Sequence, residues 1–311
     1  MSEYNEKEYP LHAATESEDI HKMEELLKGG TEAKAKDKFG ASALNCAARK
    51  DNIMAMELLL RHGADVNAKD RFLVTALHCA AASGKFEAVD WLIAHGAIVD
   101  AKDHTHKTPL HYAAKNGEVA TMDWLIQSGA DVDAKDNDGW TPLHYAADIS
   151  EIIGIELLVE NAADVFERNN EGASPLHRAA LWGKSEAVDL LVNHGTDVNM
   201  KDNNGATPLH YAARYSEVAT MELLIEEGSE VDAKDNDGRT ALHRLSESGK
   251  LAAMKLLVRH GADVNEKDDF GWTALDIADN AHMNEAAQWL LINGGKREVT
   301  SDGSTPLWKR K

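Results

Sequence analysis

Thr141-Pro142-Leu143-His144 decides the fold, because variants of this phrase recur along the chain at a fixed spacing. They begin at residues 42, 75, 108, 141, 174, 207, 240 and 273, so successive starts are 33 residues apart. Pro10-Leu11-His12 is a shortened earlier copy. A second phrase, Gly-Ala-Asp-Val-Asn-Ala-Lys-Asp at residues 63–70, keeps the same period and returns in varied form at Gly96, Gly129, Gly195, Gly228 and Gly261. Two phrases in phase indicate a chain of stacked, similar units.

Each unit predicts a turn followed by two short helices. Asn, Asp and Gly at residues 137–139 are turn formers, and Gly supplies a positive φ. Thr141 is expected to cap the first helix, and Pro142 suits the first helical position. The second helix is expected around residues 186–193 in a later unit, and Gly195 is expected to end it. Two short helices bury too little surface to fold alone, so neighbouring units must stack.

A period of 33 residues with Thr-Pro-Leu-His is typical of ankyrin repeats, and the chain resembles this family from about residue 8 to 296. The resemblance implies an all-α solenoid of helix–turn–helix repeats joined by β-hairpin-like turns, with turns and first helices lining a concave groove. Within residues 1–301 we expect nine repeats, the first and last acting as caps. Their approximate ranges are 8–37, 38–70, 71–103, 104–136, 137–169, 170–202, 203–235, 236–268 and 269–301. Residues 302–311 are expected to be a tail or a vestigial tenth repeat, because the phrase restarts at residues 303–307; the alternative is that the natural chain continues.

Some positions depart from the repeat pattern. Leu73 and His106 replace the turn glycine, Ala162 replaces the glycine that ends the second helix, and Asn45 and Asp276 replace the histidine of the phrase. The fifth repeat also has Gly154 inside its second helix, so we expect it to be locally weak. Three tryptophans stand where other second helices have leucine, and we expect them to pack in the core: Trp91, Trp124 and Trp289.

Composition limits the classes of partner and compartment. The chain has 33 basic and 53 acidic residues and a formal charge of −20. This balance argues against nucleic acid or an anionic membrane as the main partner, since both need a basic surface. The first residues are polar, and no apolar run approaches the ~18 residues of a membrane span. Cys46 and Cys79 take the same position in adjacent repeats, too far apart for a disulfide. We therefore expect a reduced, cytoplasmic protein.

The recurring histidines invite a catalytic or metal-binding interpretation, which spacing disfavours. One histidine per repeat puts neighbours about 10 Å apart, whereas shared zinc ligands lie within about 4 Å of each other. We expect them to bond turn backbone instead. Asp103, His104 and His106 form the densest cluster, without a further ligand. No phosphate loop, dinucleotide fingerprint or nucleophile elbow is present. We predict no metal, no cofactor and no enzymatic activity, with catalytic groups in the groove as the alternative.

A further alternative is that the protein is a modification substrate. The family resemblance implies that asparagine in an Asp-Val-Asn phrase is a hydroxylation site in some members. The matching residues here are Asn67, Asn199 and Asn265. The competing interpretation is an Asx turn that closes the hairpin.

Function is expected to lie in variable positions of the groove. The resemblance places the side chains flanking the turn glycine, and those ending the first helix, on this face. The main predicted contacts are Trp140 at a turn tip, Ile149, Leu181, Trp182, Tyr215, Lys107, Lys115, Arg214 and Arg239. Secondary contacts are Phe39, Arg49, Lys50, Phe72 and Trp272. Exposed aromatic clusters mark partner sites. We predict a monomeric protein-interaction module or scaffold whose protein or peptide partner has an apolar anchor and an acidic segment. The rival occupants are the chain's own Leu307 and Trp308 or a second copy.

Overall fold

The structure is a computed structural model that describes residues 5, 7–215 and 217–297. These residues form eighteen short α-helices, arranged as nine consecutive pairs. The chain divides into two compact blocks, the N-terminal block Met1–Asp164 and the C-terminal block Val165–Lys311. In the described part of the chain, no helix has both the length and the apolar character needed to cross a membrane.

The N-terminal block contains ten of the described helices. They are α1 (Pro10–Glu16), α2 (Ile20–Lys28), α3 (Ala43–Arg49), α4 (Ile53–Arg61), α5 (Ala76–Ala82), α6 (Phe86–Ala94), α7 (Pro109–Asn116), α8 (Val119–Gln127), α9 (Pro142–Ile149) and α10 (Ile152–Glu160). The C-terminal block contains α11 (Pro175–Leu181), α12 (Ser185–Asn193), α13 (Pro208–Tyr215), α14 (Val218–Glu226), α15 (Ala241–Ser248), α16 (Leu251–Arg259), α17 (Ala274–Asn280) and α18 (Asn284–Ile292).

Within each block the helices stack in two rows. The first helix of a repeat packs on its own second helix and on the next first helix, as α7 does on α8 and α9, and as α13 does on α14 and α15. Alanines such as Ala146 and Ala147 are fully buried in the first-helix row, where their small side chains allow close approach. Both blocks are therefore all-α solenoids, which confirms the predicted fold class.

The recurring phrase fixes where each first helix begins. The Thr141 N–H donates to His144 Nδ1 at 3.2 Å, and the Thr141 hydroxyl lies 2.9 Å from the same nitrogen. Asn45 and Asp276 use a side-chain oxygen instead, which accepts the N–H of Ser42 at 3.0 Å and of Thr273 at 3.1 Å. The cap therefore needs an acceptor at this position, and histidine is one of three that the chain uses.

The departures at glycine positions adopt the backbone that glycine would adopt. Leu73 has φ 61°, His106 has φ 64° and Ala162 has φ 65°, all in the left-handed region. Gly139 and Gly195 have φ 75° and 88° at the matching positions of other repeats. A side chain in this region costs about 1–2 kcal/mol, so these three residues are strained.

The prediction that three tryptophans are core residues is only partly right. Trp91, Trp124 and Trp289 are half-buried, whereas the leucine that follows each of them is fully buried. The tryptophan position lies at the edge of the apolar stripe, where a large ring keeps one side in contact with solvent. Trp124 packs edge-on against Phe86, with ring centroids 5.8 Å apart.

Candidate interaction face

A recurring pattern of hydrogen bonds builds the turn that precedes a first helix. Asp136 Oδ1 accepts the N–H groups of Asp138 and Trp140, each at 2.9 Å. Asp136 Oδ2 accepts the Tyr145 hydroxyl at 2.7 Å and lies 3.3 Å from Lys107 Nζ. We call Lys107, Asp136, Trp140 and Tyr145 the Asp136 site.

Trp140 completes the Asp136 site and lies after the turn, so the prediction that it occupies the turn tip is wrong. The turn itself is at residues 137–138, and Trp140 directly precedes the capping Thr141. Its half-buried ring lies 4.8 Å from the Tyr145 ring, and its carbonyl accepts from His111 Nε2 at 3.0 Å. Tilted ring packing and backbone bonding hold it against the first helix.

The C-terminal block carries an exposed aromatic pair, Trp182 and Tyr215. Trp182 follows α11 and Tyr215 ends α13, and their rings stack with centroids 5.3 Å apart and planes 11° apart. Trp182 is 43% exposed and Tyr215 is 49% exposed. Two large rings that stack on each other while half their surface meets solvent form a flat apolar surface.

Leu181 differs from its predicted role, whereas Ile149 is exposed as predicted. Leu181 is only 5% exposed, so the prediction that it faces the groove is wrong. It ends α11, which packs against α13 in the same block, and burial of its apolar side chain is favourable. Ile149, at the end of α9 in the N-terminal block, is 38% exposed.

The basic residues of the face are largely paired with acidic residues of the chain. Glu16 binds both Arg49 and Lys50, at 2.8 and 3.2 Å. Lys107 pairs with Asp136 as described, and Arg239 Nε lies 3.4 Å from Asp268 Oδ2. Among the described residues, Lys115 and Arg214 are exposed and form no ion pair. The positive charge open to a partner is therefore smaller than the sequence indicates.

A pocket of about 300 Å³ opens near the end of the C-terminal block. Its lining includes Arg239, Asp268, Phe270, Trp272 and Ile277. Asp268 Oδ1 accepts the N–H groups of Phe270 at 3.0 Å and Trp272 at 2.8 Å, as in other turns. We call Arg239, Asp268, Trp272 and Ile277 the Asp268 site. Ile277 is not among the residues predicted from sequence, although its position holds tyrosine in several aligned repeats.

The secondary aromatic residues lie on turns of the N-terminal block. Phe39 and Phe72 are half-exposed, and each follows an aspartate whose Oδ1 accepts its N–H. The Phe72 ring lies 5.3 Å from the His104 ring, and Lys38 Nζ lies 5.1 Å from the Phe39 centroid. These rings are available at the surface, but each already has a neighbour from the chain.

The cap histidines are bonded through both ring nitrogens. His177 Nδ1 accepts from the Ser174 N–H at 3.1 Å, and its Nε2 lies 3.2 Å from the Ala206 carbonyl. Because a carbonyl only accepts, Nε2 carries the proton and donates. Burial lowers the pKa of His177 to about 4, and it also lowers the pKa of His78, His111 and His243. These histidines link successive repeats, as the sequence predicts.

The cluster of Asp103 and His104, which the sequence singled out, is held by hydrogen bonds within the chain. Asp103 Oδ1 accepts from the N–H groups of Thr105 and Lys107, and its Oδ2 accepts from the Tyr112 hydroxyl at 2.8 Å. His104 Nδ1 lies 3.2 Å from the Phe72 carbonyl. Among the described residues, no three His, Cys, Asp or Glu side chains are grouped to hold a metal ion.

The Asp-Val-Asn asparagines bridge successive repeats. Asn67 Nδ2 donates to the Gly96 carbonyl and its Oδ1 accepts the Ile98 N–H, both at 2.9 Å. Asn199 and Asn265 make equivalent bonds to the next hairpin. The Asx turn expected of Asn67 is instead made by Asp65, whose Oδ1 accepts the Asn67 N–H.

Comparison with known families finds ankyrin repeats along the chain. A family model described as ankyrin repeats (3 copies) matches residues 72–136, 121–202, 154–235, 195–268 and 219–302. A second, described as ankyrin repeats (many copies), matches residues 44–93. No curated protein matches the sequence.

Proposed function

Because the chain belongs to the ankyrin repeat family, whose repeats generally serve as protein–protein interaction modules, we propose that it binds a protein or peptide partner through its turns and first helices. The binding residues differ between the blocks. Lys115 and Ile149 represent this face in the N-terminal block. In the C-terminal block it consists of Trp182, Arg214 and Tyr215, together with the Asp268 site.

The stacked pair of Trp182 and Tyr215 is the observation that carries this proposal. Neither ring is needed to close the core, since the fully buried leucines and alanines of α11 and α13 already do so. An exposed aromatic pair lowers solubility, and Trp and Tyr are the residues that most often dominate interface energies. We infer that this pair receives an apolar group of the partner.

The charges beside the pair support an acidic segment in the partner. Arg214 precedes Tyr215 in α13 and has no acidic partner among the described residues; Lys115 is in the same situation in the N-terminal block. Arg49, Lys50, Lys107 and Arg239 are assigned a smaller role because their charges are already balanced. Cys46 and Cys79 are not joined in a disulfide, which supports a reducing intracellular compartment.

The enzymatic alternative has no comparable observation in its favour. A general base needs a basic nitrogen or oxygen within reach of substrate. The cap histidines are neutral and buried, with both ring nitrogens bonded to protein atoms. We therefore keep binding, and not catalysis, as the function.

The proposal is tested with peptides selected against the purified protein from a random display library. We expect peptides that combine an apolar or aromatic residue with acidic residues. Trp182→Ala is expected to weaken their binding at least tenfold, about 1.4 kcal/mol, because truncation removes half of the apolar surface. Ile292→Ala is the matched control, since Ile292 is exposed on α18, a second helix, away from this face. Fluorescence anisotropy of labelled peptides measures both affinities.

A loss of less than twofold for Trp182→Ala would assign recognition to another surface. The competing occupants are the chain's own residues 302–311, which lie outside the described residues, and a second copy. Deletion of residues 302–311 and measurement of the mass in solution separate them. Tighter peptide binding after deletion indicates the tail, and a concentration-dependent mass indicates self-association.

A further inference from the structure

The pocket at the Asp268 site corresponds to a place that another repeat fills with its own side chain. Arg239, Asp268, Trp272 and Ile277 lie four repeats after Lys107, Asp136, Trp140 and Tyr145, so each matches its counterpart at an offset of 132 residues (4 × 33). Three of the four positions keep the same chemistry: a cation, an aspartate and a tryptophan. Only the fourth differs in kind, since tyrosine is replaced by isoleucine.

This replacement removes a phenol from a framework that otherwise persists. At the Asp136 site, the Tyr145 hydroxyl donates to Asp136 Oδ2 at 2.7 Å, Lys107 Nζ lies 5.8 Å from the Tyr145 ring centroid, and Trp140 packs on that ring at 4.8 Å. At the Asp268 site, Ile277 is buried and has no group that reaches the carboxylate. Asp268 Oδ2 keeps one long contact, to Arg239 Nε at 3.4 Å.

Other repeats with tyrosine or arginine at this position follow the same rule, whereas the second and third repeats have Cys46 and Cys79 there. Tyr112 donates to Asp103 at 2.8 Å and Tyr211 donates to Asp202 at 2.9 Å. In the eighth repeat, Arg244 takes this role and donates to Asp235 Oδ2 at 2.6 Å. In the fourth, fifth, seventh and eighth repeats, a donor on the first helix therefore satisfies the second oxygen of the turn aspartate. At the Asp268 site in the C-terminal block, Ile277 supplies no such donor, and a pocket remains beside the aspartate.

We propose that the Asp268 pocket binds a tyrosine side chain of the partner, whose phenol takes the place that Tyr145 occupies at the Asp136 site. The guest hydroxyl donates to Asp268 Oδ2 once Arg239, which lies 3.4 Å from this buried oxygen, turns aside. The guest ring lies against Trp272 and Arg239, with Ile277 as the floor and Phe270, 64% exposed, at the rim. A volume of about 300 Å³ is at the small end of ligand pockets and suits one side chain.

Charge disfavours an anionic guest, and Arg239 already supplies a cation to Asp268. Glu247 and Asp268 both line the pocket, and Arg239 is its cation. A phosphorylated tyrosine lacks the donor and brings negative charge toward two carboxylates. A guanidinium or ammonium group would meet Arg239. The phenol satisfies the carboxylate without adding a charge.

The test compares three small probes on the intact chain: the amides of N-acetyl-tyrosine, N-acetyl-phenylalanine and N-acetyl-O-phosphotyrosine. Binding is followed by the indole N–H resonance of Trp272 in ¹H–¹⁵N spectra, assigned with Trp272→Phe. We expect a saturable shift with the tyrosine amide, affinity at least fivefold weaker for the phenylalanine amide, and no binding of the phosphorylated amide. Equal affinity for tyrosine and phenylalanine, tighter binding of the phosphorylated amide, or no saturable shift would overturn the proposal.

Two variants provide an independent measurement. Ile277→Tyr supplies the phenol from the chain itself and is expected to reduce tyrosine-amide binding at least tenfold. Ile277→Leu is the matched control, because it keeps an aliphatic floor and is expected to bind within twofold of the natural chain. Retained binding in Ile277→Tyr contradicts the assignment. This inference rests on the proposed function of the same face, but the probes need no partner, so its failure is distinguishable from failure of the Trp182→Ala test.

Discussion

The Asp136 and Asp268 sites have the same framework and differ in whether the chain completes it. In both, an aspartate Oδ1 accepts two turn N–H groups, a cation from the preceding turn approaches Oδ2, and a tryptophan follows the turn. Tyr145 fills the first site, whereas Ile277 leaves a pocket in the second. One side chain thus decides whether a repeat fills this place with its own phenol or leaves a pocket beside the aspartate.

This difference separates two roles that the residues of a repeat play. The aspartate and the cap histidine form hydrogen bonds with the backbone of turns and neighbouring repeats. Replacement of either residue therefore lowers the free energy of unfolding. The residue nine positions after the aspartate lies on the first helix, and the chain uses tyrosine, arginine, cysteine and isoleucine there. Recognition can therefore change at this position without rebuilding the turn.

Tyr145→Ile tests the comparison most severely and should have the largest effect. It removes a hydrogen bond to a buried carboxylate, which contributes roughly 1.5–3 kcal/mol, together with ring packing against Trp140. We expect a loss of about 3 kcal/mol in the free energy of unfolding, measured by urea denaturation. The reciprocal Ile277→Tyr should stabilise, by less, because it gives up the burial of Ile277.

Tyr215→Ile is the control for this loss. Tyr215 is exposed and stacks on Trp182, an interaction that contributes about 0.5–1.5 kcal/mol. If Tyr145→Ile lowers the free energy of unfolding no more than Tyr215→Ile, the phenol–aspartate bond does not hold the Asp136 site together. The comparison on which the Asp268 pocket is proposed would then fail.

The framework could be predicted from sequence because it depends on local backbone chemistry. Thr141 and His144 are three residues apart, so their capping bonds follow from the helix itself, and the left-handed backbone of Leu73, His106 and Ala162 follows from their alignment with glycines. These bonds need no knowledge of distant side chains.

The face was harder to predict because its exposure depends on neighbouring repeats. Leu181 and Trp182 are adjacent in sequence, yet one is buried and the other is exposed beside Tyr215. Lys107 and Arg239 suggested free charge, but each meets an aspartate 29 residues later in the chain. The sequence signals the Asp268 pocket by an isoleucine where other repeats have tyrosine, arginine or cysteine, and this signal has meaning only once the bond between Tyr145 and Asp136 is known.

The cap histidines, which belong to the framework, predict a pH dependence of stability. The pKa of His177 is lowered to about 4 in the folded state because the ring is buried. Below its ordinary value of 6.5, the unfolded chain therefore binds a proton that the folded chain does not. The stability that the neutral His177 ring gives the folded state is fully present above pH 6.5. This stability is lost as the pH falls toward 4, at up to about 1.4 kcal/mol per pH unit.

His177→Asn should flatten this profile, because asparagine does not titrate and Asn45 shows that it can accept the capping N–H. We expect about 1 kcal/mol lower stability at pH 7, from the lost bond to the Ala206 carbonyl, and a shallower slope between pH 6 and 4.5 in urea denaturation. His194→Asn is the control, since His194 is exposed at the end of α12. An unchanged slope in His177→Asn would show that burial of this ring does not control its protonation.

The smallest expected effect concerns α10, the helix that pairs with α9 of the Asp136 site. Ala162 has φ 65° where Gly129 and Gly195 have 92° and 88°, and a Cβ built on either glycine meets no atom within 4 Å. The cost at Ala162 is therefore conformational, about 1–2 kcal/mol, of which Ala162→Gly gives back part as chain entropy in the unfolded state. We expect a net gain of about 1 kcal/mol, measured by urea denaturation.

Gly154→Ala is the matched comparison for α10 and should give almost no gain. Helix propensity favours alanine by about 1 kcal/mol, but its Cβ would lie 3.1 Å from Glu151 Cγ and 3.3 Å from Met122 Cε, where α10 packs on α8. Because of Ala162 and Gly154, we expect the backbone amides of Ile152–Glu160 to exchange earlier than those of Ser185–Asn193. Ala162→Gly should reduce this difference. Equal or stronger protection of α10 in the natural chain would mean that packing outweighs backbone strain. The repeat that carries the Asp136 site would then contain no weak helix. The free energy of unfolding lost in Tyr145→Ile would then report only the loss of the Tyr145 phenol.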